Sequence, residues 1–327
     1  MKKKWKHLLL LSLLLYIPCI AGCGSSEPVT KTGFYFNTVI TLTGYGSHAE
    51  EIIDEAFSLC DTYERTFSRT LEGSDVWNIN HSAGRPVEVR DETVFLLKTA
   101  LYYSELTGGL IDPTIAPLSE LWNFSGDPAG PVPSSEDIEA ALVHIDYTCI
   151  KIDRNTVLLD DPEAQIDLGF IAKGYIADQM KSFFLEKGME HALINLGGNV
   201  LAVGSKPDGS AYKTGIRKPF SSRNETVSIV ALEDRSLVTS GSYERCFTQD
   251  DVLYHHILNP TTGYPSDNGL TGVTILSDTS LEGDALSTSC FLLGPDRGFS
   301  LIESLSDVEA LFIMEDGSII KTDGFPQ

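Results

Sequence analysis

The chain has 327 residues, 42% of them apolar, and its 46 acidic residues against 24 basic ones give a formal charge of −22 at pH 7. A nucleic-acid partner is not expected, because neutralising backbone phosphates requires a basic surface that this composition lacks. The length suits one domain of about 290 residues with a sizeable core, preceded by a short N-terminal region.

The first 22 residues have the pattern of an export signal. Lysines near the start precede an apolar run from Leu8 to Ile20, which is too short to span a bilayer as a stable helix. The small residues that follow lead into Cys23, and this arrangement resembles a bacterial lipobox, where the signal is cut before a cysteine that then carries lipid. An ordinary cleavage site beside a chance cysteine is the alternative. We expect residues 1–22 to be removed and the protein to be lipid-anchored to the cell membrane through Cys23, on the extracytoplasmic side.

Residues 23–33 are polar and contain a proline, which predicts a tether between the anchor and a folded domain at residues 34–327. Apolar residues recur at helical spacing from Ala49 to Phe67 and from Val94 to Leu101. Short apolar runs predict strands at Tyr35–Thr43, Thr156–Leu159, Val227–Leu232, Leu253–Leu258 and Val273–Leu276.

These helices and strands follow one another without a regular βαβ order. That pattern favours a mixed α/β fold over a doubly wound parallel sheet. We therefore expect mixed sheets with surrounding helices in a single domain, either undivided or in two lobes. The four cysteines of the domain are widely spaced and form no CxxC pair, which predicts buried thiols, with one disulfide among them as the alternative.

A segment near the C-terminus combines helix signals with hard oxygen ligands. Thr279 and Glu282 have the spacing of a capping box and a glycine–proline pair supplies a stop, so the sequence predicts a helix over residues 280–292. Asp284 and Thr288 lie four residues apart and share a face of that helix. Their oxygens suit Mg²⁺, with positions left for water and phosphate. Ordinary helix chemistry is the alternative, because an acid in the first turns favours the helix dipole.

A second polar cluster lies between residues 165 and 174, just before another predicted helix. It places Asp167 and Lys173 around Gly169 and Gly174, and glycines let the backbone approach a ligand closely. Lys173 can meet a phosphate as a point charge, whereas a solvent-exposed lysine is the commoner case. Neither a P-loop nor a dinucleotide fingerprint occurs in the chain, so a nucleotide would be held in another way.

Two adjacent histidines, His255 and His256, lie where a predicted strand runs into a turn. The period of two along a strand sends them to opposite faces, so only one can face a given site. A histidine titrates near neutral pH and is the usual general base for a hydroxyl. A surface position or a hydrogen-bonded core position is the alternative for each of them.

Six motifs in this order resemble the ApbE family of flavin transferases, over essentially the whole chain from Phe34 onward. They are Thr107-Gly108-Gly109-Leu110-Ile111-Asp112-Pro113-Thr114, Asp167-Leu168-Gly169 with Ala172-Lys173-Gly174, Asn195-Leu196-Gly197-Gly198-Asn199, Ser240-Gly241-Ser242-Tyr243-Glu244-Arg245, His256-Ile257-Leu258-Asn259-Pro260 with Thr262-Gly263, and Asp284-Ala285-Leu286-Ser287-Thr288. The segment Phe36-Asn37-Thr38 stands where many members have Met-Gly-Thr, and Thr38 is the part retained.

The resemblance implies an Mg²⁺-dependent enzyme that transfers the FMN half of FAD to a threonine or serine hydroxyl of an acceptor redox protein and releases AMP. It implies a magnesium site made by the main-chain carbonyl of Ala172 with Asp284 and Thr288. It also implies that His256 takes the proton from the attacking hydroxyl. The residues implied in FAD binding are Thr38, Asp112, Asp167, Lys173, Gly197, Gly198, Ser240, Glu244, His256, Ile257 and Thr262.

Two other functions are compatible with the same features. An FAD pyrophosphatase would use the same site with water as the nucleophile and would give free FMN and AMP. A flavin-binding lipoprotein without catalysis would need the signal and the tether but neither a metal site nor a base.

Overall fold

The computed structural model describes residues 27–126, 130–221 and 225–326. Its helices are α1 Ala49–Phe67, α2 Asp75–Asn80, α3 Asp91–Thr107, α4 Ala116–Trp122, α5 Ser135–Leu142, α6 Ala172–Glu186, α7 Ser280–Leu293 and α8 Pro295–Glu303. Its strands are β1 Val29–Tyr35, β2 Thr38–Gly44, β3 Val87–Glu88, β4 Ile150–Asp153, β5 Thr156–Leu159, β6 Ala192–Leu196, β7 Asn199–Val203, β8 Tyr212–Arg217, β9 Thr226–Leu232, β10 Ser236–Gly241, β11 Cys246–Gln249, β12 Val252–His255, β13 Leu270–Ser277, β14 Glu309–Met314 and β15 Ile319–Lys321.

The predicted signal peptide and the predicted lipidation site, Cys23, lie outside the described residues. Within the described ranges, no helix has both the length and the hydropathy that a bilayer-spanning segment needs.

One eight-stranded sheet organises the fold, with strand order β1-β2-β6-β7-β10-β13-β14-β15. Every pair of neighbours in this sheet is antiparallel. Strands β3-β5-β4, β8-β9 and β11-β12 form smaller sheets. Helices and strands follow one another without βαβ order, and the predicted α/β class, with several sheets and surrounding helices, is confirmed.

The main sheet is covered on both faces, because successive residues of a strand point to opposite sides. On one face, Ile194, Leu196 and Leu201 pack in the main core together with residues of α1, α6 and α7. On the other face, Val200 and Ala202 pack in a second cluster with strands β8 and β9. This double cover explains why all eight residues of the central strand β13 are buried.

A third cluster supports the β11–β12 hairpin, and we call it the Trp122 cluster. The ring of Trp122, at the end of α4, lies 6.4 Å from that of Phe247 in β11 and 5.4 Å from that of Tyr254 in β12, measured between centroids. Its indole N–H donates to the carbonyl of Gly263 at 2.8 Å. The hairpin and the turn that follows it are therefore held together by one aromatic side chain. The buried members are Leu118, Trp122, Phe124, Ile138 and Leu258.

Two predicted boundaries near the N-terminus are wrong. Strand β1 begins at Val29, so residues 29–33 of the predicted tether belong to the sheet, where they pair with β2. The single strand predicted at Tyr35–Thr43 is two strands joined by a turn at Phe36 and Asn37, whose φ angles are 52° and 56°. Two central residues with positive φ match the twist of paired strands. A turn without glycine gave no clear signal in the sequence.

The other predicted helices and strands are confirmed with small changes. Helix α7 matches the predicted helix over residues 280–292, and the side chain of Thr279 accepts from the N–H of Glu282 as the capping box requires. The predicted strand Leu253–Leu258 is shorter than expected, because β12 ends at His255.

The four cysteines of the described ranges are free, as predicted in preference to a disulfide. Cys60 and Cys290 are buried, and burial raises the pKa of each thiol to about 12. They are protonated core residues at neutral pH.

Helices α6 and α7 cross at Gly174, close to the point where both begin. A side chain at this glycine would overlap the carbonyl oxygen of Ser280 and come within 2.7 Å of the Cα of Leu281. Asp178 of α6 accepts hydrogen bonds from the N–H groups of Ser280 and Leu281, at 2.8 and 2.9 Å. Asp284 of α7 accepts one from the N–H of Gly174, at 2.9 Å. First-turn amides lack partners within their own helix, so each helix satisfies amides of the other.

We expect Gly174→Ala to lower the free energy of unfolding by about 1–3 kcal/mol, because the added Cβ forces the two helices apart. In an uncrowded helix the same change would stabilise the fold by about 1 kcal/mol. Urea denaturation of both proteins measures the difference. Ser182→Ala, on the exposed side of α6, is the control and should change stability by less than about 0.5 kcal/mol. A Gly174→Ala protein as stable as the wild type would contradict the close crossing.

Candidate active site

The crossing of α6 and α7 surrounds a buried carboxylate. Asp284 is 3% exposed, and Nζ of Lys173 lies 3.3 and 3.4 Å from its two carboxylate oxygens. Burial raises the pKa of Asp284 above its ordinary value, although the charge of Lys173 and the hydrogen bond from Gly174 act in the opposite direction. The ammonium group and the amide therefore do not fully replace the water that the carboxylate has lost. The site suits an additional cation.

The other predicted magnesium ligands lie on the same two helices. Thr288 is one turn beyond Asp284, and Ala172 is the first residue of α6. Oγ of Ser240 lies 3.0 Å from Oγ1 of Thr288 and 2.8 Å from Oγ of Ser287, so strand β10 also reaches this face of α7. One carboxylate, one hydroxyl and one carbonyl are hard oxygen donors of the kind that Mg²⁺ prefers.

The donor set fits magnesium better than a metal that needs a full cage of side chains. In the described part of the chain, no group of three or more His, Cys, Asp and Glu side chains is placed to hold a metal ion. A site with one carboxylate leaves positions for water and phosphate oxygens, which is how Mg²⁺ is usually bound beside a nucleotide.

The loop before α6 is held by its own polar contacts. Oδ1 of Asp167 accepts from the N–H of Gly169 at 2.8 Å, and Oδ2 pairs with Nε of Arg69 at 3.1 Å. Nζ of Lys173 donates to the carbonyl of Gly169 at 3.1 Å and remains 25% exposed. Lys173 is therefore fixed at the crossing but open to an anion, whereas a contact between Asp167 and FAD stays a prediction.

His255 is a structural residue. It is buried at the end of β12, where its Nε2 donates to the carbonyl of Ser266 at 3.1 Å. Its Nδ1 accepts from the N–H of Ile257 at 3.3 Å. Both ring nitrogens are thus engaged by the backbone, and burial lowers the pKa of His255.

His256 has a different environment. Its Nδ1 is buried and has no hydrogen-bond partner in the part of the chain that the structure describes. The main-chain N–H of His256 donates to the carbonyl of Arg245 at 3.1 Å. Burial lowers the pKa of His256 well below 6.5, and the charges of Arg245, His255 and Lys173 act in the same direction. The expectation of a titration near 6.5 is therefore wrong. His256 is neutral at pH 7 and lies within electrostatic reach of Lys173.

The turn between β6 and β7 packs against the start of β2. Gly197 has φ +64°, and a Cβ there would overlap Oγ1 of Thr38 and lie 2.9 Å from its Cβ. Gly198 has φ +96°, and a Cβ there would meet nothing within 4 Å. Gly197 therefore packs closely against Thr38, whereas Gly198 faces open space, and their contacts with FAD stay predictions.

The side chain of Asp112 stabilises the loop in which it lies. Its Oδ1 accepts from the N–H of Thr114 at 2.8 Å and from the Thr114 hydroxyl at 2.6 Å. Its Oδ2 accepts from the N–H of Tyr147 at 3.0 Å. The side chain organises this segment, and its contact with the nucleotide stays a prediction.

Three further predicted FAD contacts have modest local roles. Glu244 has an exposed side chain 3.9 Å from the guanidinium of Arg217. Ile257 is buried next to His256. The hydroxyl of Thr262 accepts from the N–H of Tyr264 at 3.3 Å. Their roles in FAD binding stay predictions.

Two residues of the site were not assigned from the sequence. Asp178 is four residues beyond Gly174 on one face of α6, and this spacing was the available signal for it. Asn199 begins β7, is 1% exposed and accepts a hydrogen bond from the Ser280 hydroxyl through its Oδ1. A contact between a strand and a helix so distant in sequence leaves no periodic signal.

Comparisons with known proteins agree with this geometry. A model of the ApbE family matches residues 36–312. The FAD:protein FMN transferase of Klebsiella pneumoniae (strain 342) is 37% identical over 277 residues, which cover 84% of this chain and 85% of that protein. The FAD:protein FMN transferase of Treponema pallidum (strain Nichols) is 32% identical over 330 residues, covering 94% of this chain and 91% of that protein.

Solved structures of ApbE proteins also resemble this chain. The crystal structure of the ApbE protein from Thermotoga maritima has a TM-score of 0.85 and 33% identity, and the match covers 91% of this chain and 98% of that chain. The family match includes strands β2 to β13, the α6–α7 crossing, His255 and His256, and the chain belongs to the ApbE family.

Proposed function

We propose that this protein transfers FMN from FAD to a threonine or serine hydroxyl of an acceptor redox protein, with release of AMP and with magnesium at the α6–α7 crossing. The observation that carries the proposal is the ion pair between the buried Asp284 and the partly exposed Lys173, within electrostatic reach of a neutral His256. Relatives named FAD:protein FMN transferase, at 37% and 32% identity, support it.

The diphosphate of FAD needs positive charge, which this chain must supply without a P-loop. Magnesium held by Ala172, Asp284 and Thr288 would neutralise part of the phosphate charge when bound. Lys173, fixed between Gly169 and Asp284, offers a partly exposed ammonium group to a phosphate oxygen. The proposed magnesium site and the ammonium group of Lys173 both lie where α6 and α7 begin, and the N-termini of helices favour a bound anion.

His256 supplies the base. It is neutral at pH 7, so it can take the proton of the acceptor hydroxyl. The hydroxyl oxygen then bonds to the FMN-side phosphorus, and the bond from that phosphorus to the bridging oxygen breaks. The bridging oxygen leaves with the electron pair as part of AMP. The products are FMN esterified to the acceptor and free AMP.

Hydrolysis of FAD would use the same base with water as the nucleophile. Incubation with FAD and Mg²⁺, with and without an acceptor protein, separates the two reactions. Transfer gives a fluorescent flavin band on the acceptor in a denaturing gel and AMP in equal amount. AMP and free FMN formed equally well without any acceptor would favour a pyrophosphatase instead.

We also propose that the protein is lipid-anchored outside the cytoplasm. The supporting observation is the sequence of residues 1–23, in which lysines, an apolar run and small residues precede Cys23. The acceptor redox protein would then be modified on the same side of the membrane.

Cys23→Ser should prevent lipidation and release the protein from the membrane fraction or leave its signal uncut. Membrane fractionation and the mass of the mature N-terminus measure the effect. A variant that is processed and membrane-bound at the wild-type level would show that Cys23 is not the lipid site.

Asp284→Ala should reduce AMP release by at least about 100-fold at limiting Mg²⁺, since losing a partner of a metal ligand already costs about 10–100-fold. Thr288→Ala should have a smaller effect, because it removes a neutral oxygen. The rate of AMP formation against Mg²⁺ concentration measures both. Normal turnover by Asp284→Ala at limiting Mg²⁺ would leave the carboxylate with a helix-capping role only.

His256→Ala should slow flavin transfer by at least about tenfold while FAD binds with nearly unchanged affinity, because a positioned base contributes about 10²–10⁴-fold to the chemical step. The low pKa of His256 places the acid limb of the wild-type rate profile below pH 6.5, since activity is lost only where the ring takes up a proton. This limb should be absent from the variant. FAD titration and the pH dependence of AMP release test both points.

His255→Ala is the matched control. It should lower stability, because two backbone groups lose their partner in a buried site, while the rate of transfer by the folded protein stays close to that of the wild type. The assignment of the base is wrong if His255→Ala is the inactive variant, or if His256→Ala is inactive only because it no longer binds FAD.

A further inference from the structure

A chain of buried polar groups joins the main sheet to the face of α7 that carries Asp284. Oγ of Ser236 in β10 lies 3.0 Å from Oγ of Ser280, and the hydroxyl of Ser280 donates to Oδ1 of Asn199. These three residues are at most 1% exposed. The contact with Ser280 uses the amide oxygen of Asn199, so the amide nitrogen points to the other side of the group.

That nitrogen, Nδ2 of Asn199, is buried and has no hydrogen-bond partner among the residues that the structure describes. A buried donor left without an acceptor is destabilising, because it has lost its hydrogen bonds to water, so an unpaired one in a native protein needs an explanation. A backbone carbonyl or a water would satisfy it, but a charged acceptor would do so more strongly.

Asp284 is a charged acceptor on the helix that Asn199 contacts. It lies four residues after Ser280 on the same face of α7, against which Asn199 packs. Because the amide oxygen of Asn199 faces Ser280, its unpaired nitrogen is the donor that can reach the carboxylate one turn further along α7.

We propose that Asn199 is a positioning residue for the metal site, whose amide N–H donates to the Asp284 carboxylate and fixes the oxygen that faces the cation. This inference rests on the magnesium site of the proposed function. Gly174 and Lys173 already donate to the same carboxylate. Asn199 differs from Lys173 because a neutral amide orients the carboxylate without cancelling the charge that attracts the metal.

The test is a titration of Mg²⁺ into the full-length protein by calorimetry, in the presence of ADP as a diphosphate that has no flavin to transfer. Asn199→Ala should weaken Mg²⁺ binding by about tenfold, as expected for the loss of a partner of a metal ligand. In the FAD reaction the same variant should need more Mg²⁺ for half-maximal AMP release, while the rate at saturating Mg²⁺ should recover most of the wild-type value.

Ser236→Ala is the matched control. It removes a buried hydroxyl at the far end of the same chain of polar groups and leaves the amide of Asn199 in place. Its stability should fall, whereas its Mg²⁺ affinity should equal that of the wild type. Equal loss of Mg²⁺ affinity in both variants would show a general structural effect and would overturn the positioning role.

Asn199→Asp is a second variant of almost unchanged shape, which decides the matter if Asn199→Ala does not fold. It keeps the acceptor for Ser280 but replaces the amide nitrogen with an oxygen facing Asp284. Two facing carboxylates repel each other until a cation binds, so Mg²⁺ should raise the melting temperature of this variant more than that of the wild type.

Different results would contradict the role of Asn199 and the presence of the magnesium site. Wild-type Mg²⁺ affinity in Asn199→Ala, or a wild-type Mg²⁺ effect on the melting temperature of Asn199→Asp, would overturn the role of Asn199 and leave the metal site standing. If the wild type itself bound no Mg²⁺ with ADP present, the metal assignment and this inference would fall together.

Discussion

Helices α6 and α7 begin at the same place in the molecule and exchange hydrogen bonds there. Asp178 of α6 satisfies two amides at the start of α7, and Asp284 of α7 satisfies an amide at the start of α6. The contact requires a glycine at position 174, because any side chain would meet the backbone of the partner helix. The N-terminal ends of two helices and their partial positive charge are thereby held within one site. The three residues expected to bind magnesium lie on these two helices.

The same contact between α6 and α7 buries a carboxylate, which disfavours its charged form. Asp284 is almost fully buried, and burial raises its pKa despite Lys173 and the amide of Gly174. Removing one partner of a buried ion pair is strongly destabilising, whereas the intact pair adds little net stability. Such a pair is hard to explain as a contribution to folding. It is readily explained if the carboxylate is kept for a bound cation and Lys173 for a bound anion.

The parts of the candidate site that depend on local spacing could be predicted from the sequence. The capping box at Thr279 correctly predicted α7, and the interval of four residues correctly placed Asp284 and Thr288 on one face. Family motifs identified most of the other candidates. The role of Asp178 as a cap for a distant helix depends on which two helices meet, and that is decided by the packing of the whole core.

The hairpin turn at Phe36 and Asn37 escaped prediction for a related reason. Both residues have positive φ, a conformation that most side chains disfavour, and the sequence shows no glycine to mark it. The N–H of Phe36 donates to the side chain of Glu64 in α1 at 3.0 Å, so a helix from another part of the chain stabilises the turn. Local preference was overridden by tertiary contact.

The Trp122 cluster has a consequence for the evolution of this enzyme. His256 follows the β11–β12 hairpin, which packs against Trp122 through Tyr254 and contacts α7 through the rings of His255 and Phe291, 5.7 Å apart between centroids. The residue proposed as the base is therefore linked both to the Trp122 cluster and to the helix that carries Asp284. Evolutionary change in the Trp122 cluster is constrained by the contact with α7, because a hairpin that shifts on Trp122 also shifts against Phe291.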